Sequence, residues 1–365
     1  RTTGDGMIGE FINGESSFVS MIQNGQFALL RDRTNASPEW YTIPGTTKPG
    51  WINPMTGTPD TSDNLIYMAG GNINGGPGSY LIQMDFNFNT APVFRPFQFG
   101  YDFRANSVSG SGIIKAIGVS DADHDKIFIA TSDGTFFQTG NKGLIWYNEG
   151  LKFAPNFIPW DIITSNSDPD DIYVSGTGFS NPGVYRSEDG GNTFTGLTTQ
   201  APLATYYEIA ISDNDDVLFA ATSEGPYAYV FKDNSWYPLT GSNTPIVDFT
   251  TVDNIGDDII RFSTYGRGIW DFDSEIIINP VALATSSDNS DFGVYPNPVK
   301  NEQSIQLKLG NGVQTGLVEI FDLNGKKVFS ERESSDNVIL PQLSNGQYLL
   351  RFSNTEVHTA KLMVR

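Results

Sequence analysis

Cysteine is absent from this 365-residue sequence, and histidine occurs only at His124 and His358. Without cysteine there are no disulfide bonds, no thiolate nucleophile and no cysteine-ligated zinc or iron–sulfur cluster. Two histidines are too few for a histidine-rich metal site, and they leave little for a catalytic triad. No apolar run reaches the length that a membrane-spanning helix needs. The sequence therefore argues against thiol, redox and metal-centred chemistry.

Basic residues are scarce as well. The sequence has 22 Lys and Arg against 42 Asp and Glu, which gives a formal net charge of −20. A chain this acidic lacks the basic surface that nucleic-acid phosphates or an anionic membrane would require, so we expect no nucleic-acid partner. The 38 Gly, 20 Pro and 13% aromatic residues are typical of a β protein with many turns. The composition predicts a soluble, all-β protein.

The acidic residues are unevenly distributed along the chain. Residues 1–290 contain 14 basic and 34 acidic residues and so carry the whole net charge, whereas residues 291–365 contain 8 of each. The segment Ala282–Ser290 consists of small and polar residues, as linkers do. We therefore expect one domain at residues 1–278, a linker at 279–290 and a second domain at 291–365.

A turn-and-strand unit recurs through the first domain. Each copy has a polar turn rich in Asp, Ser and Asn, then a short β-branched or aromatic strand, a small-residue turn and a second strand. From Ser120 onward the copies are about 40–47 residues apart, which is the size of a four-stranded propeller blade. The repeated cores lie at residues 62–67, 120–129, 165–174, 212–219 and 253–260.

The second half of the unit carries a hairpin signature of the form S-x-D-x-G-x-T-aromatic. The hydroxyl and the Asp or Asn side chain can hydrogen-bond the backbone of their own turn. The glycine supplies a positive φ, and the aromatic residue then packs in the core between sheets. Lys232–Trp236 is a degenerate copy. The two full copies contain Thr139, Asn141, Gly143 and Trp146 in one case, and Ser187, Asp189, Gly191, Thr193 and Phe194 in the other.

This signature resembles the Asp-box repeat of sialidase-like and sortilin-like β-propellers. The resemblance covers residues 110–275 well and residues 1–110 loosely, and Phe262–Trp270 is similar to the closing strand of such propellers. It implies a β-propeller whose Asp-boxes are structural turns away from the central channel. The sequence begins with Arg1 instead of Met, which indicates a mature form or a fragment whose propeller is incomplete at its N-terminus.

One of the polar turns offers a calcium hypothesis. Asp121, Asp123 and Asp125 alternate as the ligands of an oxygen-rich loop do. However, no Gly at the sixth position and no Glu at the twelfth follow, so the loop is not an EF-hand. We interpret these aspartates as solvated turn residues and expect no metal site or cofactor, with a weakly bound surface calcium as the alternative.

Enzymatic hypotheses find weaker support. Arg186 and Arg267 lie in the repeat and in the closing strand, where structural roles are expected. Strand alternation places Tyr206 and Glu208 on one face, so these two residues could form a catalytic pair. Glucan-cleaving enzymes use two carboxylates, but nothing in the sequence selects such a pair. We therefore expect a non-enzymatic module for adhesion or glycan binding, with a glycoside hydrolase as the alternative. Aromatic residues that could stack on sugars or pack in the core are Trp40, Tyr41, Trp51, Tyr147 and Trp160.

The C-terminal domain consists of short strands and tight turns without a helix. Asn324–Gly325 and Asn345–Gly346 are strong hairpin signals. The strand around Val318 is apolar on nearly both faces, as strands in a sandwich core are. The pattern predicts a small immunoglobulin-like β-sandwich whose last strand ends at the C-terminus.

The order of the blocks in this domain resembles the type A C-terminal sorting domain of the Bacteroidetes type IX secretion system. The blocks are YPNP, VEIFDLNGKKV, LSNGQYLLR and KLMV. The resemblance implies export across the outer membrane to the cell surface or the exterior. It also implies the translocon with its sortase and shuttle proteins as partners, and surface glycans are possible ligands of the propeller. The sorting-signal residues are Tyr295, Pro296, Asn297, Pro298, Asp322, Asn324, Gly325, Gly346, Tyr348, Lys361 and Val364.

Overall fold

The computed structural model of the chain is almost entirely β-structure. It divides into two compact units, the first comprising Arg1–Pro238 and Ile246–Phe272 and the second Leu239–Pro245 and Asp273–Arg365. The residues described are 6–12, 17–22, 26–31, 37–42, 53–58, 65–71, 77–86, 93–96, 100–177, 182–239, 244–245, 247–256, 259–273, 293–300, 304–308, 316–322, 326–333, 337–353 and 357–365.

The first unit is a β-propeller. Its described residues form six antiparallel sheets of three or four strands, each a meander in which consecutive strands are neighbours. The strands of the first three sheets are β1 (Gly6–Ile12), β2 (Ser17–Ile22), β3 (Gln26–Leu30), β4 (Glu39–Thr42), β5 (Met55–Gly57), β6 (Leu65–Gly70), β7 (Tyr80–Asp85), β8 (Val93–Pro96), β9 (Ile114–Val119), β10 (Ile127–Thr131), β11 (Thr135–Thr139) and β12 (Tyr147–Leu151). Those of the last three are β13 (Pro159–Thr164), β14 (Ile172–Gly176), β15 (Val184–Ser187), β16 (Thr195–Gly196), β17 (Tyr206–Ile211), β18 (Val217–Thr222), β19 (Gly225–Val230), β20 (Ser235–Pro238), β21 (Phe249–Asn254), β22 (Ile259–Thr264) and β23 (Ile269–Asp273).

The second strand of a blade accounts for the apolar runs in the sequence. β10, β14 and β18 are buried along their whole length, because each lies inside its sheet and is covered by neighbouring blades on both faces. In the sequence, such strands are continuous hydrophobic runs in which apolar and polar residues do not alternate. The cores between blades are rich in aromatic residues; Phe136, for example, packs against both Phe128 and Phe194.

The innermost strands are β1, β5, β9, β13, β17 and β21, and each contacts the next in this order. They approach one another closely, since a Cβ atom on Gly118 of β9 would lie only 2.6 Å from the Cγ2 atom of Ile162 in β13. A one-residue bulge lies near the start of several innermost strands, for instance at Trp160 in β13 and at Tyr207 in β17. These bulges decide which side chains reach the central channel.

The second unit contains a small β-sandwich. One sheet has the order β24-β25-β28 and the other the order β27-β26-β29-β30. A single hydrophobic core joins them, with Val318, Ile320, Leu350 and Phe352 fully buried. The strands are β24 (Gly293–Tyr295), β25 (Ser304–Lys308), β26 (Gly316–Phe321), β27 (Lys327–Glu333), β28 (Asn337–Ile339), β29 (Gly346–Ser353) and β30 (Val357–Val364).

Helical structure in the described residues is limited to short turns, such as the single α-helical turn Phe103–Asn106 and the 3-10 turn Phe231–Asp233. No described helix has the length and apolar character that crossing a membrane requires. The expected linker at residues 279–290 lies outside the described residues, as does Trp51.

Candidate functional site

The polar turns of the repeat connect the innermost strand of a blade to the second strand. In three successive blades the hydroxyl of Ser120, Ser165 or Ser212 accepts hydrogen bonds from backbone N–H groups of its own turn. In the first of these turns Asp123 Oδ1 accepts the N–H of Asp125 at 3.1 Å. Among the described residues no three His, Asp or Glu side chains are placed to hold a metal ion.

The two hairpins that resemble Asp-boxes, called box hairpins below, lie in equivalent positions between the third and fourth strands of their blades. The Thr139 hydroxyl donates to Asn141 Oδ1 at 2.8 Å, as the Ser187 hydroxyl does to Asp189 Oδ1. Asp189 Oδ1 also accepts the backbone N–H of Thr193, and Asn141 Oδ1 accepts the backbone N–H of Ile145 in the same way. The two turns therefore use the same network in spite of their different residues.

Glycine and aromatic residues complete these turns. Gly143 and Gly191 have φ values of +75° and +90°, and each donates its N–H to the hydroxyl that opens the box. Trp146 packs edge-on against Phe103, and Phe194 packs against Phe136. Each box thus fixes its hairpin and directs an aromatic ring into the core between blades.

Replacing Asp189 by Ala is expected to destabilise the propeller by about 1–2 kcal/mol, because the N–H and hydroxyl of Thr193 lose their acceptors. Urea unfolding of the purified chain measures the change. Asp189→Asn is the matched control, since Asn141 has the same position in the other box and keeps the Oδ1 acceptor. Equal stability of wild type and Asp189→Ala would show that the box contributes nothing.

The two arginines considered in the sequence have different surroundings. Arg186 forms a two-pronged ion pair with Asp171, with a shortest distance of 2.7 Å, and its guanidinium lies over the rings of Tyr173 and Phe231. Arg267 is exposed in the turn between β22 and β23, where its backbone N–H donates to Thr264 Oγ1. Arg186 is thus engaged in packing.

Carboxylates from several blades line the central channel. Asp161 Oδ2 accepts the N–H of Ile209 in the next blade at 3.1 Å, and Glu208 Oε2 accepts the N–H of Val252 in the blade after that at 3.3 Å. Glu10 of β1 is hydrogen-bonded in the same manner to the backbone of Gly57 in β5. Each of these side chains joins an innermost strand to the following one.

These carboxylates are enclosed by strands but remain partly exposed to solvent. Burial raises the pKa of Glu10 to about 8 and that of Asp161 to about 6, and it raises the pKa of Glu208 well above the ordinary value. Repulsion between the carboxylates, including the exposed Asp253, adds to these shifts. The channel is therefore a region of high negative charge density that favours protonation.

The bulges separate Tyr206 from Glu208. Simple alternation would place both side chains on one face, but Tyr207 is the extra residue, and Tyr206 pairs with Thr222 while Glu208 pairs with Ala221. Tyr206 is fully buried and donates its hydroxyl to the carbonyl of Pro202, whereas Glu208 reaches the channel. The expected common face of this dyad is therefore wrong.

An aromatic patch lies on three consecutive blades at the end where the innermost strands begin; we define it as Trp160, Tyr207 and Tyr265. The indole of Trp160 is 43% exposed and meets the ring of Tyr207 edge-on, with centroids 5.7 Å apart. Tyr207 donates its hydroxyl to Asp248, whose carbonyl accepts the N–H of Tyr265. The other exposed aromatic residues considered in the sequence, Trp40 and Tyr147, lie on fourth strands of blades.

The YPNP segment, which is expected to belong to a sorting signal, is hydrogen-bonded to the last strand, β30. Asn297 Oδ1 accepts the N–H of Met363 at 2.8 Å, and its amide donates to the carbonyl of Lys361. Val299 exchanges backbone hydrogen bonds with Met363 and Arg365. Residues at opposite ends of this domain's sequence are thus joined.

The other residues expected in the sorting signal lie at turns and on β29 and β30. Asp322 closes the β26–β27 turn by accepting the N–H of Lys326, while Asn324 and Gly325 lie outside the described residues. Gly346 begins β29, and Tyr348 is buried and donates its hydroxyl to the carbonyl of Ser344. Lys361 is exposed on β30 and Val364 is buried there; Tyr295, Pro296 and Pro298 flank Asn297.

Solved structures with a similar fold include propellers. The GH74 xyloglucanase from Xanthomonas campestris has 12% identity and a TM-score of 0.52, covering 94% of this chain and 57% of that one. The propeller domain of Myceliophthora thermophila Cps50 (Swd1) has 11% identity and a TM-score of 0.52, covering 72% and 80%. An extracellular domain from B. thetaiotaomicron has 13% identity and a TM-score of 0.51, covering 100% and 57%. The chain thus spans little more than half of the xyloglucanase, and these likenesses concern the fold alone.

No curated protein matches the chain in sequence. Residues 293–365, however, match the family described as the secretion system C-terminal sorting domain. The match covers the β-sandwich from β24 to the last residue. The expected sorting domain is therefore confirmed: this chain is a type IX secretion cargo, exported across the outer membrane to the cell surface or the extracellular space.

Proposed function

We propose that the exported propeller is a non-enzymatic carbohydrate-binding module and that sugar rings stack on the aromatic patch. The observation that carries the proposal is the exposed indole of Trp160 on an innermost strand, in contact with the ring of Tyr207. Exposed aromatic rings present flat apolar faces, and hydrogen-bonding groups beside them fix the orientation of a ligand. The Tyr207 hydroxyl and the Asp248 carboxylate supply such groups.

The charge of the propeller favours a neutral polysaccharide. The channel behind the patch carries Asp161 and Glu208, and residues 1–290 account for the whole net charge of −20. This field repels anionic polymers before they reach the patch. Adhesion to neutral glycans outside the cell is therefore the activity that we assign to the body of the protein.

Trp160→Ala is expected to weaken binding of the full chain to a neutral polysaccharide such as xyloglucan by about tenfold or more, which corresponds to about 1.4 kcal/mol. Affinity electrophoresis in gels containing the polysaccharide measures the change. Trp40→Ala is the matched control, because its indole is 46% exposed but lies on β4 at the outer side of a blade. Retention of Trp160→Ala equal to that of the wild type would refute the site.

A glycoside hydrolase is the second candidate, and the channel carboxylates favour it. A carboxyl group with a raised pKa can serve as a general acid, and Asp161 and Glu208 directly follow the patch residues Trp160 and Tyr207. Release of reducing ends by the wild type and its loss in Glu208→Gln would replace the binding proposal by this one.

A further inference from the structure

The sorting domain has a basic and apolar face on which residues from three of the motif blocks lie side by side. It is the outward face of the sheet β27-β26-β29-β30, on the side opposite the core formed by Val318, Ile320 and Leu350. One row of paired residues crosses all four strands there, in the order Lys327, Phe321, Leu349 and Lys361. We call it the Lys–Phe–Leu–Lys row.

The next row on this face holds a buried carboxylate between two cations. The Glu319 side chain lies on this outward face and not in the hydrophobic core. It is nevertheless only 2% exposed, because Lys327 and Arg351 cover it. Lys327 Nζ lies 2.7 Å from Oε1, and Arg351 donates two hydrogen bonds to Oε2. Burial alone would raise the pKa of Glu319, but these hydrogen bonds outweigh it and hold the pKa below its usual value.

This arrangement fixes two cations in place without neutralising the face. Arg351 is held further by the ring of Phe321, whose centroid lies 5.3 Å from the guanidinium carbon. Lys327 and Arg351 remain 50% and 44% exposed, and Lys361 is exposed as well. Three cations against one carboxylate leave a net charge of +2 in the two rows. Their unused N–H donors point to solvent beside two partly exposed apolar side chains.

We infer that this face docks onto an acidic protein surface during export, with carboxylates of the partner opposite Lys327, Arg351 and Lys361. Positive charges next to apolar side chains on a rigid sheet match a protein interface, in which apolar contact supplies affinity and charge supplies orientation. An anionic lipid surface fits less well, because the sorting domain has 8 basic and 8 acidic residues and so no net attraction to a uniformly anionic plane, whereas a protein can place carboxylates opposite these three cations alone. The partner is therefore a protein with exposed Asp and Glu residues that receives the cargo.

The test varies the charge of Lys361 in the full chain, expressed in a bacterium with an active type IX system. Its side chain is exposed, so replacing it changes the face and leaves the core intact. Lys361→Glu is expected to reduce the propeller found at the surface and in the medium at least tenfold, Lys361→Gln is expected to reduce it less, and Lys361→Arg is expected to retain it. The matched control is Lys308→Glu, an equal charge reversal at an exposed position on β25 of the other sheet.

Thermal unfolding of the purified variants verifies that Lys361→Glu is folded. Export that is normal in Lys361→Arg, lower in Lys361→Gln and lowest in Lys361→Glu supports docking through this face. Normal export of Lys361→Glu would overturn the inference, and so would an equal loss in Lys308→Glu. Co-sedimentation with phosphatidylglycerol vesicles distinguishes the two kinds of partner. Vesicle binding by the wild type that disappears in Lys361→Glu would overturn the assignment to a protein and indicate lipid.

Discussion

Lowering the pH from 8 to 5 should stabilise the propeller. The folded-state pKa values of Glu10, Asp161 and Glu208 are raised, so the folded chain binds more protons than the unfolded chain across this interval. Stability from these groups is fully present below their unfolded pKa values, 4.5 for Glu and 3.8 for Asp, and is lost as the pH rises through the folded values, about 6 for Asp161 and about 8 for Glu10. We expect a gain of roughly 2–4 kcal/mol, discounted for the partial exposure of the carboxylates.

Groups whose pKa is lowered in the folded chain change the stability only at more acidic pH. Asp189, Asp215 and Glu319 contribute stability above their unfolded pKa values, and they lose it as the pH falls below about 4. The interval from pH 8 to 5 therefore reports the channel carboxylates together with Asp121, whose pKa is raised by burial in the turn between β9 and β10. Thermal unfolding at several pH values measures the effect, at about 2–4 °C per kcal/mol.

A single substitution separates the channel from the general charge of the chain. Glu208→Gln keeps an oxygen acceptor for the N–H of Val252 but removes the charge, so it should raise the melting temperature at pH 8 and flatten the pH dependence. Glu224→Gln is the control, since it removes one charge at an exposed position of the propeller. If both variants behaved alike, the effect would belong to the net charge and not to the channel.

Deleting Lys361–Arg365 should unfold the sorting domain. The deletion removes the fully buried Leu362 and Val364, and it leaves Asn297 and Val299 without their backbone partners on β30. The two buried side chains alone are worth roughly 3–6 kcal/mol. A domain of this size has a total stability of about 4–11 kcal/mol. The backbone hydrogen bonds that β29 and Val299 lose add to the cost of the deletion, so it removes most or all of this stability.

Limited proteolysis of the purified full chain measures this effect. The truncated chain should lose the tail at protease concentrations that leave the wild-type tail intact, while the propeller resists equally in both. Arg365→Ala is the control, because it retains both buried residues and the backbone N–H that Arg365 donates to Val299. An undiminished resistance of the truncated tail would show that β30 is dispensable for folding.

The box hairpins and the polar turns could be predicted because their hydrogen bonds join residues that are only a few positions apart in sequence. Ser187, Asp189 and Thr193 contact each other within one turn, so their spacing alone indicates the structure. The tail was predictable for a different reason. Its blocks resemble a known family, although the contact of Asn297 with Lys361 spans 64 residues and no local pattern encodes it.

The channel and the patch could not be predicted. Glu10, Asp161 and Glu208 come from different blades and meet only because the blades form a ring, and no spacing rule marks them. The bulge at Tyr207 moves the following side chains of β17 to the opposite face of the sheet from the one that simple alternation predicts. The alternation of apolar and polar residues does not indicate this bulge. Trp40 and Trp160 look equivalent in sequence, and only the fold places Trp160 on an innermost strand.

The location of the truncated protein in the cell tests most directly whether this chain is exported by its folded tail. The wild type and the chain lacking Lys361–Arg365 are expressed in a bacterium with a type IX system, and the propeller is quantified in the periplasm, at the surface and in the medium. We expect the wild-type propeller outside the cell and the truncated one in the periplasm. Export of the truncated chain at the wild-type level would contradict this account.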